Sequence, residues 1–305
     1  MKRFLILMLT GSMGFALAAQ ETIDILTLTG RYGLPQDYKD TYSEKATEYG
    51  SILSITAGAK LSAKSMIAIN VNHFYFNVLG DPAIPDGIAS PIILNGFILR
   101  TGLIQQLRNS RVLQLLIAPR LMSDFKNLDG NSFQLGAVAT YGKKFHDDLT
   151  MSFGAMINQE FFGPYLVPLV NLYWKLSGQW SVEGMLPVTA RVNYKVNDNL
   201  TAGFNHFGLI TTYYLGDEAY SGDYMERQSI DLSLYARQRL FGPMFLEGMV
   251  GRSFGRNYKQ FAGDQKVDFA IPLISFGDNR TVKNVTFKDG ILLQLKLVIN
   301  VRRPE

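Results

Sequence analysis

The chain has 305 residues, of which 47% are hydrophobic and only 18% are charged, less than the roughly 25% of ordinary soluble domains. It has no cysteine, which excludes disulfide bonds and argues against a zinc site. The formal net charge is +4, and without Lys2 and Arg3 it is about +2, too small to indicate nucleic-acid binding or a polybasic membrane patch.

The N-terminal segment has the pattern of a secretory signal peptide. A basic start precedes a short apolar segment, and small residues lie two apart at Ala16 and Ala18 before the chain turns polar. We therefore predict a signal peptide over residues 1–19, with cleavage close to Ala18, and one domain over residues 20–305. The alternative is a buried N-terminal helix of a cytosolic protein.

The stretch Arg227–Phe241 is the clearest predicted β-strand. Its apolar and polar residues alternate, which places them on opposite faces of a strand. The apolar face has Ile230, Leu232, Leu234, Ala236 and Leu240, and the polar face has Ser229, Asp231, Ser233, Tyr235, Arg237 and Arg239. The stretch exceeds the usual strand of about 5–6 residues and suits a tilted strand that crosses a bilayer, which needs about 9–11.

Four further segments repeat this alternation. They are residues 51–61, 149–158, 188–196 and 291–301, with Met156 as an exception. A helix would place its apolar residues three and four apart, so these segments indicate strands. No mature segment has about 20 continuous apolar residues, and a non-helical spanning structure must be a closed barrel because lipid cannot satisfy an open sheet edge.

Short and long connections alternate along the chain. Short turns are predicted at residues 62–64, 108–110, 146–148, 177–179, 197–199 and 242–243. Longer connections are predicted at residues 35–48, 80–90, 123–132, 162–166, 216–226 and 255–286. This alternation is typical of outer-membrane barrels, whose periplasmic turns are tight and whose outer loops are long. It requires one very short outer connection, near Pro187.

Together these patterns predict an all-β fold, a closed antiparallel up-and-down transmembrane β-barrel of about 12–14 strands. The first strand is Thr22–Gly30 and the last is Phe287–Val301. A count of about twelve strands is expected if residues 180–196 form one bent strand or if the first segment, Thr22–Gly30, is a plug and not a wall strand. An even count puts both chain ends on the periplasmic side.

Aromatic residues lie close to predicted strand ends, where rings settle at the level of the lipid head groups. They include Phe74, Phe76, Phe161, Trp174, Trp180, Tyr213 and Phe241. This placement agrees with a membrane barrel, although aromatic residues are also common in any β-protein core.

Candidate catalytic and metal-binding residues are few. The three histidines, His73, His146 and His206, lie apart without metal-ligand spacing. Nothing in the spacing picks out a serine for a lipase-type site, and the acidic loop residues do not follow a calcium-loop pattern. We therefore predict no enzymatic activity, no cofactor and no metal.

Seven charged residues fall on the polar faces of their predicted strands and are candidates for facing the lumen. They are Lys60, Arg191, Lys195, Asp231, Arg237, Arg239 and Lys296. A barrel of this size is wider than the case of about eight strands that side chains just fill, so it encloses water, a plug or a ligand. The excess of Lys and Arg over Asp among these residues favours anions in the lumen. An alternative of equal weight to an anion-preferring lumen is an ion-pair network that braces the barrel, with Asp231 and the two arginines of its strand as members.

Residues 180–203 (WSVEGMLPVTARVNYKVNDNLTAG) combine an LP pair, an ARVNY strand and an NDN turn that leads into an LTAGF strand. This combination resembles a family of outer-membrane β-barrel proteins of unknown function from Bacteroidota-type bacteria, over most of the mature chain. The resemblance implies an outer-membrane barrel and brings no active-site residues. The C-terminal residues 301–305 lack the terminal aromatic of many such barrels.

The sequence therefore predicts a β-barrel of the cell outer membrane, as a porin-like passive channel or an uptake protein for small solutes. Its expected partners are outer-membrane lipid and small anionic solutes, with no nucleic acid. Two alternatives stay open: an outer-membrane barrel enzyme that acts on lipids, and an exported soluble β-sandwich binding protein, whose strands would be shorter.

Overall fold

The computed structural model describes residues 22–220 and 222–302. Within these ranges the regular structure is sixteen β-strands and two short 3₁₀ turns, at Gly130–Ser132 and Glu218–Tyr220. No helix in the described part is long and apolar enough to cross a membrane. The predicted signal peptide lies outside the described residues.

Fourteen strands form the wall of a barrel, and two short strands form a hairpin in the last connection. The wall strands are β1 (Thr22–Gln36), β2 (Ala46–Lys60), β3 (Ser65–Leu79), β4 (Ile92–Leu107), β5 (Arg111–Ser123), β6 (Phe133–His146), β7 (Leu149–Glu160), β8 (Gly163–Lys175), β9 (Trp180–Leu186), β10 (Thr189–Lys195), β11 (Leu200–Tyr214), β12 (Tyr224–Phe241), β13 (Met244–Phe261) and β16 (Gly290–Arg302). The hairpin strands are β14 (Phe269–Ile271) and β15 (Ile274–Phe276).

The sheet closes on itself as an antiparallel up-and-down barrel. Each wall strand pairs with the next from β1 to β13, β13 pairs with β16, and β16 pairs with β1. The predicted closed barrel is confirmed, at fourteen strands. Residues 180–196 are two strands joined by a turn at residues 187–188, and β1 belongs to the wall instead of forming a plug.

The two ends of the barrel differ. Six tight turns and both described chain termini lie at one end, called here the turn end; the other is called the loop end. The predicted long connection over residues 162–166 is wrong, because residues 161–162 alone join β7 to β8. The predicted loop over residues 255–286 begins too early, since β13 continues to Phe261 beyond a bulge beside Gly255.

The outward face of the wall is apolar, as the alternation predicts. Large aliphatic and aromatic side chains stay exposed there, including Leu28, Ile55, Leu115, Ile117, Phe153, Leu234, Val250 and Leu295. An exposed apolar band around a closed barrel is stable in lipid and not in water. The barrel therefore spans a membrane, and the soluble β-sandwich alternative is wrong.

Part of the predicted aromatic placement is also wrong. Phe74, Phe76 and Tyr213 point into the barrel and are buried, at 7%, 0% and 0% exposure. Trp174 and Trp180 are exposed near the turn end, as predicted. These rings point inward because side chains alternate between the two faces along a strand. The position of a residue in this alternation, and not its distance from the strand end, decides which face it occupies.

The wall is incomplete between β8 and β11. β9 and β10 have seven residues each, whereas the other wall strands have 12 to 18. The β8–β9 ladder stops at Val170 and Leu186, so the loop-end part of β8 extends beyond β9. β14 occupies this gap and pairs with β8 at Tyr165 and Ala270. The outer part of the wall is thus completed by a loop hairpin.

Candidate functional site in the barrel lumen

The loop-end half of the lumen is filled. The β10–β11 ladder ends at Thr189 and Phe207; beyond it β11 has no β10 neighbour but stays paired with β12 as far as Tyr214. Its last residue, Tyr214, pairs in parallel with Ser123 of β5, which lies six strands away around the barrel. Buried apolar side chains pack around this crossing, including Phe76, Leu94, Met122, Tyr213, Leu215 and Met225. Of the three contents predicted for a barrel of this size, water, a plug or a ligand, the loop-end half contains a plug, which β11 and its neighbours form.

A buried carboxylate fixes β11 in this position. Glu160 of β7 accepts a hydrogen bond from Arg120 Nη1 at 3.0 Å, and it accepts two more from the Thr212 backbone N–H at 2.9 Å and hydroxyl at 2.7 Å. Gln134 of β6 donates to the Thr212 carbonyl at 3.2 Å. Strands β5, β6, β7 and β11 are therefore joined across the lumen.

A second buried carboxylate, Glu48, lies on β2. Glu48 accepts hydrogen bonds from Arg31 at 2.5 Å and from the Tyr258 hydroxyl at 2.8 Å. The guanidinium groups of Arg227 and Arg256 approach the same carboxylate at 4.0 and 3.9 Å. We call Arg31, Glu48, Arg227, Asp231, Arg256 and Tyr258 the Glu48 network.

Asp231 belongs to the Glu48 network through partners on other strands. Its carboxylate accepts from Arg31 of β1 at 2.7 Å and from the Ser253 hydroxyl of β13 at 2.6 Å. The predicted bracing ion-pair network is present at Asp231, but Arg237 and Arg239, the two arginines expected in it, are not members. Six residues along a strand correspond to about 20 Å, which no side-chain contact bridges.

A third cluster lies nearer the turn end. Glu247 of β13 contacts Arg191 at 2.6 Å, Arg237 at 2.7 Å and Lys296 at 3.2 Å. Arg237 also pairs with Asp24 of β1 at 2.8 Å. These five residues, from β1, β10, β12, β13 and β16, are called the Glu247 network.

The structure places the seven predicted lumen residues in different surroundings. Arg191, Arg237 and Lys296 meet in the Glu247 network, and Asp231 lies in the Glu48 network. Lys195 pairs with the exposed Asp198 beside a turn, at 2.7 Å. Two others lie at the turn end of their strands: Lys60 is exposed, and the Arg239 guanidinium lies over the ring of Phe245 at 5.2 Å.

Sequence reasoning missed Arg31, Glu48, Asp24 and Glu247. Each is a single charged residue whose neighbours two positions away carry no charge. Parity could have found two of them: Glu48 has the same parity as Lys60 on β2, and Glu247 is the sole carboxylate on the inward face of β13. It could not have found both Asp24 and Arg31, because the register of β1 shifts between Asp24 and Leu26. A charge at an inward position of a wide barrel needs a partner across the lumen.

The loops at the loop end are fixed by charged contacts. Arg280 donates to Glu226 at 2.8 Å and to Asp278 at 2.9 Å, and its guanidinium covers the ring of Phe261 at 4.2 Å. Burial alone would lower the pKa of Arg280, but hydrogen bonds to Asp278 and Glu226 outweigh it and raise the pKa. The connection over residues 262–289 is therefore held against β12 and β13.

Asp81 holds two other loops together. Its carboxylate accepts hydrogen bonds from the backbone N–H groups of Glu44 and Ala83, at 2.9 and 2.8 Å, and from the Ser43 hydroxyl at 3.1 Å. These hydrogen bonds lower the pKa of Asp81, the one from Glu44 most. The β1–β2 and β3–β4 loops are thus joined through an ionised side chain.

The histidines make structural contacts. His206 Nε2 lies 2.8 Å from the Pro187 carbonyl oxygen, and His73 stacks on Phe97 at 4.4 Å between ring centroids. Among the described residues, no three His, Asp or Glu side chains form a cluster that could hold a metal ion. The absence of catalysis stays a prediction.

Residues 17–267 match a family model described as Domain of unknown function (DUF6268). The chain belongs to this family. The assignment agrees with the expected resemblance to a family of unknown function, whereas the Bacteroidota origin stays a prediction. No curated protein sequence matches this DUF6268 chain.

Several solved membrane channels are similar to this DUF6268 chain along most of its length. The COG4313 outer membrane channel from Pseudomonas putida F1 is 13% identical, with a TM-score of 0.44 over 92% of this chain and 95% of that chain. The TodX monoaromatic hydrocarbon channel, as its deltaS2 mutant, is 9% identical, with a TM-score of 0.38 over 96% and 93%. The NanC porin is 8% identical, with a TM-score of 0.36 over 90% and 98%. At such low identities and TM-scores, these likenesses carry no argument about what this chain transports.

Proposed function

We propose that this protein is an outer-membrane channel that takes up small solutes without catalysis, and that its lumen opens by displacement of β11. The observation that carries the proposal is the crossing of β11 onto β5 inside a membrane barrel. One parallel pairing and the hydrogen bonds of Thr212 with Glu160 and Gln134 hold β11 there, whereas the wall ladders extend over many residues. The tight turns and long loops support an outer-membrane barrel with the turn end in the periplasm.

The lumen charges support small anionic solutes. The Glu48 network has three arginines against two carboxylates, and the Glu247 network has three basic side chains against two carboxylates. Five guanidinium nitrogens of Arg31, Arg227 and Arg256 have no hydrogen-bond partner within the described residues. Excess donors in a lumen attract anions. Bracing and anion preference are therefore compatible properties of the same residues.

The experiment is a disulfide across the proposed gate. Ser123 and Tyr214 are direct pairing partners, and the chain has no native cysteine, so a Ser123→Cys/Tyr214→Cys variant can form one defined bond. We expect stepwise, anion-preferring conductance in planar bilayers from the wild-type protein and from the reduced variant. Oxidation should abolish the open steps, and reduction should restore them.

The matched control is a disulfide within the wall. Ala202 and Ala236 are pairing partners on β11 and β12, so oxidised Ala202→Cys/Ala236→Cys should conduct like the wild type. Equal conductance of the oxidised gate variant would show that solutes pass elsewhere. An intact barrel, identified by heat-modifiable migration, that never conducts would overturn the channel.

A further inference from the structure

A cavity of about 1030 Å³ lies at the loop end beside β6 and β7. Small-molecule sites commonly have volumes of about 300–1,000 Å³, so this cavity is large enough for a molecule with a long apolar chain. It is separate from the Glu48 and Glu247 networks, none of whose residues line it.

The cavity lies where two neighbouring wall strands part. The β6–β7 ladder ends at Gly136 and Asn158. Beyond it β6 still pairs with β5 as far as Phe133, and β7 still pairs with β8 as far as Glu160. Residues 133–135 of β6 and residues 159–160 of β7 are therefore separated from each other at the loop end.

The lining comes from both faces of the wall. Ile117, Leu135 and Ile157 point outward and are 56%, 48% and 49% exposed, so they belong to the lipid-facing band. Asn158 and Glu160 line the same cavity but point inward and are buried. A cavity lined by both faces connects the apolar exterior with the interior of the barrel.

The cavity has a buried acceptor, Gln134, and an exposed donor, Lys266. Gln134 donates its amide N–H to Thr212, and its Oε1 atom, which is buried, has no hydrogen-bond partner among the described residues. Lys266 donates to the Phe161 carbonyl oxygen and lies over the ring of Tyr224. Glu160 is already neutralised by Arg120, so the ammonium of Lys266 is the charge that a ligand meets.

We propose that this cavity binds an amphipathic molecule with one apolar chain and a compact oxygen-bearing head, hydroxyl or carboxyl. The chain lies between Leu135 and Ile157, and the head accepts a hydrogen bond from Lys266 and lies against Gln134. The ligand enters from the membrane through the parting of β6 and β7. This inference deepens the proposed uptake function and rests on the barrel being embedded in lipid.

The test uses a fluorescent label at the mouth of the cavity. A Cβ added at Gly130 meets no atom within 4 Å, and Gly130 lines the cavity. A Gly130→Cys variant of the full chain therefore takes a single environment-sensitive dye in lipid nanodiscs, because the native chain has no cysteine. Dodecanoate, 1-dodecanol and dodecyltrimethylammonium are the probes, since they share a chain and differ in the head. We expect saturable emission changes with the first two and none with the third.

Two variants test the two halves of the cavity. Leu135→Trp fills the lipid-facing half and should weaken dodecanoate binding by about tenfold, equivalent to about 1.4 kcal/mol. Leu234→Trp is its control, because Leu234 is also an exposed outward leucine, on β12. Lys266→Gln should remove the preference for dodecanoate over dodecyltrimethylammonium, whereas Lys39→Gln, an exposed lysine in the β1–β2 loop, should keep it.

The outcomes separate this site from the proposed channel. No response to any probe, equal responses to all three, or equal weakening by Leu135→Trp and Leu234→Trp would each overturn the site. Conductance without a dye response would overturn the site and keep the channel. A dye response with the expected variant effects, in a barrel that does not conduct, would keep the site and overturn the channel.

Discussion

Two sectors of the barrel wall are built differently. The sector formed by β12, β13, β16, β1 and β2 has long continuous ladders, and two ion-pair networks join its strands across the lumen; we call it the braced sector. In the sector from β6 to β11, β6 and β7 part, β9 and β10 are short, and β11 has no β10 neighbour towards the loop end; we call it the irregular sector.

This difference shows that one closed sheet can combine a rigid sector with a sector through which solutes or ligands could enter. Buried ion pairs are costly to break, so they hold the braced sector in one arrangement. In the irregular sector, a single pairing, a short hairpin and a cavity take the place of a continuous ladder. Movement of a gate and entry of a ligand both require a wall that can give way locally, and the irregular sector is where both are proposed.

The largest effect should come from Glu48 in the braced sector. Glu48→Gln leaves three buried arginines with Asp231 as their remaining network carboxylate, which should lower the free energy of unfolding by about 3–5 kcal/mol. Urea titration of the lipid-refolded barrel, followed by heat-modifiable migration, measures this. The exposed turn residue Asp198 supplies the control, since Asp198→Asn should cause no measurable loss. Equal stability of Glu48→Gln and Asp198→Asn would show that the buried ion pairs do not stabilise the braced sector.

A smaller loss is expected at Arg120 of β5, whose partner Glu160 lies in the irregular sector. Arg120→Met removes the cation beside Glu160 but leaves this carboxylate its two hydrogen bonds from Thr212. We expect a loss of about 1–3 kcal/mol in the same unfolding experiment. A loss as large as that of Glu48→Gln would mean that the irregular sector is equally braced.

Ion selectivity should depend on Lys296 and not on Lys195. Lys296 faces the lumen in the Glu247 network, whereas Lys195 pairs with Asp198 at the turn end. A unit charge a few Å from a passing ion in water contributes roughly 1 kcal/mol, so Lys296→Gln should reduce the anion preference by up to about fivefold. The reversal potential in a salt gradient measures this for both variants. An equal shift with Lys195→Gln would show that the networks do not set selectivity.

The smallest effect is a local one at Asp81, in the loops. Hydrogen bonds hold its folded pKa below the ordinary 3.8. The ionised carboxylate therefore stabilises the joined loops above that value, and the stabilisation is lost as the pH falls below it. The protection factors of residues 37–45 and 80–91, which correct for slower intrinsic exchange in acid, should fall as the pH drops below about 4. In Asp81→Asn, exchange should already be high at neutral pH, and an unchanged pH profile would contradict the role of Asp81.

The strands were predictable because their signal is local. In β12, apolar residues face lipid and polar residues face the lumen, so the alternation over residues 227–241 predicts a strand that extends over Tyr224–Phe241. The ion-pair partners were not predictable. Arg31 and Asp231 are 200 residues apart, and only the closure of β1 on β16 brings them together.

The wrong connection at residues 162–166 has a physical reason. Gly163 and Pro164 signal a loop, and Pro168 signals a break in a strand. All three nevertheless lie in β8, in the part that extends beyond the β9 ladder. Proline has no N–H to donate, which is tolerated where a strand lacks a regular neighbour. Pro164 and Pro168 lie where β8 extends beyond β9, and the sequence alone does not show that this gap exists.

The β14–β15 hairpin has a consequence for the order of assembly. Its docking joins Tyr165 to Ala270, residues far apart in the chain, whereas each wall hairpin joins immediate neighbours. Contacts between distant residues form late because closing a long loop loses chain entropy first. The hairpin also needs β13 in place before it can reach β8. We therefore expect the loop-end edge of β8, like the β1 and β16 edges that close the barrel, to stay unpaired until late in folding, when it is open to chaperones or to wrong strand pairing.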